Sequence, residues 1–392
     1  MYYLGLDFGT SGARAVIIDN TTTTLWAQHT HYTQFDNPIS WRDALFWLIN
    51  AIPPALRSGL SAIAIDGTSG TVLLADDAFQ PASPVLMYNH HLAGQPLAKL
   101  DWLTQHALAP RYLMHQVDYL NAQLTGTAGV TDYHNALKSG YDVRQMEWPA
   151  TLAPYAVLLP NVVTPGVLLG KLQRRIARHY NLSPNCRIHA GTTDSIAAFI
   201  ATGVNQTGVG VTSLGSTLVL KLLSQQYINV AEYGIYSHKY GDLWLVGGAS
   251  NSGGAVLRQY FTDDELRDLS TQIDLAHASP YHYYPLPCAG ERFPIADTHY
   301  SPRMEPRPEH DVDFLYGLLT GIARIEQQGY AKLVALGADT VTQVVTAGGG
   351  SHNPTWQAIR HQQMQISTAS AIHTDAAFGS ALLAKRGNLI VT

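Results

Sequence analysis

Between two apolar, β-prone runs, Tyr3-Leu4-Gly5-Leu6 and Ala15-Val16-Ile17-Ile18, the chain places Gly9-Thr10-Ser11-Gly12. Two strand-forming runs this close, joined by glycine and hydroxyl residues, predict a buried hairpin with a tight turn. Asp7 ends the first strand. Small residues let a ligand approach the backbone, the turn offers N–H groups and two hydroxyls to an anion, and Asp7 can hold a divalent cation. That set suits a nucleoside triphosphate with magnesium, and a plain tight hairpin has the same local look. A Walker A loop is excluded, because GxxxxGK[ST] is absent here and a strand follows the turn.

The pattern returns half a chain later. Val209-Gly210-Val211-Thr212-Ser213-Leu214 and Leu218-Val219-Leu220 flank Gly215-Ser216-Thr217. A duplication at domain scale is the economical reading, and 392 residues exceed what one core usually organises. The expectation is therefore two similar α/β domains, each presenting a phosphate-binding turn to a shared cleft.

Other segments fill in this plan. Thr24–His31 reads as a third strand, and Ser40-Trp41-Arg42-Asp43 as a capping-box-like start to a helix over 41–52. Leu60–Asp66 is a near-continuous apolar run, hence a strand buried on both faces, ending in Asp66-Gly67-Thr68-Ser69-Gly70. Residues 170–180 read as a basic amphipathic helix, and 187–194 as a strand feeding a helix with Asp194 at its N-terminus, where the macrodipole favours the ionised carboxylate. Asp194 is there either a proton acceptor or only a cap. Helices are expected over 255–261, from Asp263-Asp264-Glu265, over 315–336, after Pro354 and over 376–386, with 281–308 an ordered loop.

Composition excludes several classes. A net charge of -5 argues against a nucleic-acid partner, so a phosphate ligand must be held locally. Cys186 and Cys288 are the only cysteines, which fits a reducing compartment and excludes a disulfide scaffold or a Cys-rich metal site. No leader pattern opens the sequence, and the apolar run 155–170 is broken by Pro160 and Pro165. The expectation is a soluble cytoplasmic protein with no membrane partner.

Taken together, Asp7-Phe8-Gly9-Thr10-Ser11, the Gly191–Ala198 segment GTTDSIAA, Leu214-Gly215-Ser216-Thr217, Gly290-Glu291-Arg292-Phe293-Pro294 and Gly348-Gly349-Gly350-Ser351 stand in the order seen in FGGY carbohydrate kinases. The resemblance covers nearly the whole chain. Its compact length and the segments Met87-Tyr88-Asn89 and Asn135–Asp142 are most similar to the short plant and cyanobacterial xylulose-kinase-like group, related to D-ribulose kinase. The resemblance implies the ribonuclease-H-like, actin- and hexokinase-like two-domain ATPase fold, divided as 1–201 on the sugar side and 202–373 on the nucleotide side, with a helix in 374–392 packing back on the first. It implies a transfer of the γ-phosphate of ATP, with Mg2+, to a hydroxyl of a small ketose, foremost D-ribulose, by a monomer or homodimer.

By motif, Asp194 corresponds to the base and Asp7 to the acid that positions magnesium. Gly9, Thr10, Ser11, Gly12 and Arg14 correspond to the first nucleotide contacts, with Thr10 and Ser11 also facing the sugar. Gly215, Ser216, Thr217 and Gly254 match the second phosphate region, and Gly349, Gly350 and Asn353 the adenosine segment. Asp66, Thr68 and Ser69, at a strand end, fall on the sugar side.

The sequence departs from the pattern at Tyr88-Asn89-His90-His91-Leu92, where many relatives carry an acid and an arginine that touches the sugar. His90 and His91 are then replacement sugar ligands or plain surface histidines. Glu291 and Arg292 are read as holding their own loop, and Tyr281-His282-Tyr283-Tyr284 as packing. D-xylulose or a polyol is the alternative acceptor, and an actin- or chaperone-like nucleotide switch, or a silent nucleotide-binding relative, the alternative class.

Overall fold

The computed structural model describes residues 1–90 and 96–389. His91 and Leu92, and the last three residues of the 374–392 segment, lie outside the described residues. Two compact units are present: Met1–Ala201 together with the chain from His373 onward, and Thr202–Ile372.

In the first unit the two apolar runs become β1 (Tyr2–Phe8) and β2 (Gly12–Ile18), antiparallel, with β3 (Thr24–His31) antiparallel on β2. Helix α1 (Pro38–Ala51) begins before Ser40. Asn37 caps it by accepting the Ile39 N–H and Pro38 takes the first position, while Ser40 is buried with its hydroxyl on Thr33. The apolar run then forms β4 (Leu60–Gly67), parallel to β1. The basic stretch is not one helix. It divides into β5 (Leu168–Lys171), recruited by antiparallel pairing with β6 (Arg187–Thr193), and a two-turn helix over Arg174–Tyr180. The sheet order is β3-β2-β1-β4-β6-β5. Leu4, Leu6 and Phe8 bury one face against Trp41, Leu45 and Leu48 of α1 and Val117 and Leu120 of α2 (Gln116–Thr125). On leaving β6 the chain enters α3 (Asp194–Ala201).

In the second unit β7 (Val209–Leu214) and β8 (Leu218–Ser224) form the repeated hairpin, followed by β9 (His238–Tyr240), β10 (Leu243–Ser250), β11 (Gln343–Ala347) and β12 (Ser367–Ser370). The order is β9-β10-β8-β7-β11-β12, with β7 antiparallel to β8 and parallel to β11. Both sheets thus place the first hairpin strand centrally, antiparallel to its hairpin partner and parallel to a later strand. The 255–261 helix shrinks to one turn, Gly254–Leu257. Thr262 and Glu265 form a capping box on α4 (Asp263–Gln272), and a 25-residue helix, α5 (Asp311–Ala335), crosses the core with Phe314, Leu318 and Ile322 buried. Helix α6 (Pro354–Met364) carries Arg360, fully buried and paired with Glu326 at 2.6 Å, with Thr346 and Thr212 completing the network. Glu291 is buried and accepts from Ser250, Tyr284 and the backbone N–H groups of Asn251 and Arg292, so it holds the loop through backbone and hydroxyl donors. Tyr283 and Tyr284 belong to the core.

The chain then returns to the first unit as α7 (Ala376–Arg386), capped by Asp375. It lies against α3 and the face of β1 opposite Leu4 and Leu6. The approach is close enough to require glycine: a Cβ on Gly5 would stand 1.9 Å from the Ala377 carbonyl oxygen, and one on Gly379 would stand 1.8 Å from that of Ala197.

Candidate functional site

The parallel and antiparallel registers set Asp7 between Asp66 on β4 and Arg14 on β2. The turn beyond Asp7 closes when the Gly9 N–H donates to the Gly12 carbonyl at 3.0 Å, leaving Thr10 and Ser11 exposed. Asp194, from the start of α3, faces the same space. Asp7, Gly9, Thr10, Ser11, Gly12, Arg14 and Asp194 all line one polar cavity of roughly 540 Å3. Asp194 is half-buried, and its Oδ1 accepts the Ser195 N–H at 2.7 Å. The Thr10 hydroxyl donates to the Tyr88 hydroxyl at 3.3 Å, which brings one residue of the departing segment to the turn, while the His90 ring lies exposed beside Trp102.

Charge around Asp7 is unbalanced. Burial lifts its pKa to about 6; a hydrogen bond from Asp66 and the Arg14 charge oppose the rise, and Asp194 and Asp375 add to it. Asp66 is fully buried and held well above the usual carboxylate range, first by burial and then by Asp7. Asp66 accepts the Ser380 hydroxyl of α7 on Oδ2 at 2.6 Å. A buried carboxylate with surplus acid neighbours suits a hard divalent cation. Among the described residues no group of three or more His, Cys, Asp or Glu side chains is arranged around a metal ion.

Of the three residues expected on the sugar side, none lines this cavity. Asp66 has no exposed surface and stands behind Asp7. Thr68 is buried, its hydroxyl shared with Thr71 at 2.7 Å and Gln116 at 2.8 Å, so it holds the strand end and has no free face toward the cavity. Ser69 is half-buried and outside the cavity lining.

In the second unit the Gly215 N–H donates to the Thr217 carbonyl, and the Gly254 N–H to the Gly215 carbonyl at 2.9 Å. Gly253, at φ 138°, fits beneath the turn only without a Cβ, which would meet the Ser216 oxygen at 2.8 Å. Gly215, Ser216, Gly254, Gly349, Gly350 and Asn353 line a second cavity of roughly 610 Å3, whose walls include Leu257, Leu266, Leu319 and Trp356. Thr217 is not in its lining; its carbonyl closes the turn. Asn353 lines it, yet its Oδ1 caps α6 on the Trp356 N–H and its Nδ2 donates to Ser270, so its amide is committed to the fold. Ser270, Thr271 and Thr355 add hydroxyls that the motifs do not mark. One cavity is thus polar and acid-bearing, and the other is apolar-walled with glycine at one end, the shape chemistry of a planar heterocycle with phosphates attached.

Two α/β units with this common central strand arrangement, each with a glycine–hydroxyl hairpin turn, have the actin- and hexokinase-like two-domain fold. Residues 210–387 match the C-terminal domain of the FGGY family of carbohydrate kinases. A xylulose kinase of Lactococcus lactis subsp. lactis is 23% identical over 303 residues, covering 65% of this chain and 59% of that protein. One from Staphylococcus epidermidis is 21% identical over 449 residues, covering 98% and 87%. The solved structure of a Brucella ovis protein described as a xyloylose kinase superposes with a TM-score of 0.84 at 22% identity, covering 99% of this chain and 90% of that one. Over residues 210–387 the chain is thus similar to the C-terminal domain of FGGY carbohydrate kinases, and over nearly its whole length it shares their fold.

Proposed function

We propose that the protein transfers the γ-phosphoryl group of ATP to a hydroxyl of a small ketose, D-ribulose foremost. Its second unit holds the nucleoside, and its first carries the phosphate-facing turn and the base. The observation that carries the reading is that Asp7 and Asp194, from different elements, face one polar cavity with the Gly9–Gly12 turn. Phosphoryl transfer asks chiefly for alignment and charge compensation, so backbone N–H groups, one metal-positioning acid and one base suffice. Asp194 takes the proton of the attacking hydroxyl. Asp7 would hold Mg2+, which when bound offsets the charge of the phosphate oxygens. Thr10 and Ser11 orient the terminal phosphate, and Tyr88, tied to Thr10, stands in for the sugar-touching side chains that the Asn89-His90-His91 segment lacks.

D-Xylulose is the second reading for the acceptor, favoured by the relatives described as xylulose kinases. Among the described residues no helix is long and apolar enough to cross a membrane; a cytoplasmic monomer or homodimer goes with this reading. ADP release across a panel of pentuloses, pentoses and polyols tests it. A steep response to D-ribulose is expected. A stronger response to D-xylulose changes the acceptor, while sugar-independent hydrolysis, or no turnover with retained ATP binding, removes the kinase reading.

A further inference from the structure

The polar cavity of the first unit has a wall that no motif marks. Register carries Asp66, Asp7, Arg14 and His29 in one row across β4, β1, β2 and β3. Directly paired residues project to the same face of a sheet, so His29 stands beside Arg14 on the cavity side. His31, two residues on, projects to that face too, pairs with Gly12 at the end of the turn, and meets the His29 ring edge-on at 6.1 Å. Both histidines are exposed, and both line the cavity.

Charge makes this placement consequential. Asp7 feels Asp194 and Asp375 as like charges and Arg14 as the opposing one. A polyphosphate brings several more negative charges into that field, and a single arginine with one magnesium leaves it short of cations. Among the described residues lining the cavity, the side chains able to carry positive charge are Arg14, His29 and His31. We propose that His29 and His31 join Arg14 as an anion-binding wall for the polyphosphate chain of the nucleotide. Imidazole N–H groups donate to phosphate oxygens, and a charged imidazole adds a charge-assisted bond. The inference rests on the kinase reading for the ligand's identity and on register and lining for the site.

The test uses the full chain and three double variants at these exposed edge-strand positions: His29→Glu/His31→Glu, His29→Gln/His31→Gln and His29→Arg/His31→Arg. Calorimetry measures binding of tripolyphosphate with Mg2+, of D-ribulose 5-phosphate and of adenosine, with thermal unfolding to verify the fold. Tripolyphosphate affinity is expected to fall about tenfold or more in the glutamate pair, to fall less in the glutamine pair, and to be kept or tightened in the arginine pair, the size of one to two charge-assisted hydrogen bonds. Adenosine affinity should not move. Tripolyphosphate affinity equal within about twofold across the series overturns the wall, twofold being well below one such bond. A series followed by D-ribulose 5-phosphate alone overturns the assignment to the nucleotide. Because tripolyphosphate binding is read without a sugar, failure of every acceptor in the ADP-release panel would end the kinase reading and leave this result standing.

Discussion

Asp7 lies near the end of a strand and Asp194 opens a helix, and their surroundings differ. Asp194 is half-buried at a helix start, with one oxygen on a backbone N–H and the carboxylate favoured by the helix dipole. On the proposed reading Asp194→Asn keeps the shape and removes the proton acceptor. Sugar-dependent turnover should fall by about 10²–10⁴-fold with nucleotide affinity unchanged, read from steady-state kinetics beside equilibrium binding. Full activity in that variant would unseat the base. A third aspartate affects stability. Asp132 is buried at the cap of the helix Tyr133–Lys138, and burial, ahead of the opposing hydrogen bond from Asn135, lifts its pKa to about 6. An acid whose folded pKa lies above its unfolded value costs nothing below the unfolded value near 3.8. Stability is lost as pH rises through that window and stays lost above pH 6, by on the order of 3 kcal/mol. Asp132→Asn should keep the cap, because the Asn135 amide can turn its unpaired Oδ1 to the new N–H2. Tm of the variant should exceed that of the parent at pH 7 and match it at pH 4.

Helix α7 shows what close packing demands. Gly379→Ala would drive a methyl into the Ala197 carbonyl, a backbone atom that cannot step aside, so α7 must lift from α3. A cost of about 1–3 kcal/mol is expected in denaturant midpoint. Ser380, the next residue, anchors Asp66 behind Asp7, so the concentration of Mg2+ needed for half-maximal activity should rise as well. Loss of stability with unchanged metal dependence would separate the helix from the site. The two hairpins, β4 and the acid-rich start of α4 were legible because turn chemistry and periodicity act locally. Residues 168–180 were not, because pairing with β6 overrides the helical period of a short basic stretch. Asp7, Asp194 and the glycine turns could be found for the same local reason. Asp66 and Thr68 share the residue types of ligands and differ only in burial, which depends on α7 and Gln116 far along the chain. That Ser270, His29 and His31 line these cavities was invisible, because a helix face or an edge strand brings them there and no spacing records it.

Each unit has its own core and its own cavity, so the molecule should respond to pieces of its ligand one unit at a time. Leu4, Trp41 and Val117 belong to one cluster of buried side chains, and Leu220, Phe314 and Trp356 to another. A ligand that binds only the native form of one unit stabilises that unit by about 2.7 kcal/mol at a hundred times its Kd. On the proposed reading, adenosine, a planar base without phosphates, occupies the apolar-walled cavity of the second unit, and tripolyphosphate with Mg2+ the polar cavity of the first. Hydrogen exchange should therefore slow in β7, α4 and α6 with adenosine and in the β1–β2 turn and the start of α3 with tripolyphosphate, with ADP slowing exchange in the second unit at least as strongly as adenosine does. Protection of the first unit by adenosine alone would mean that the nucleoside binds there and would reverse the division of labour between the two halves.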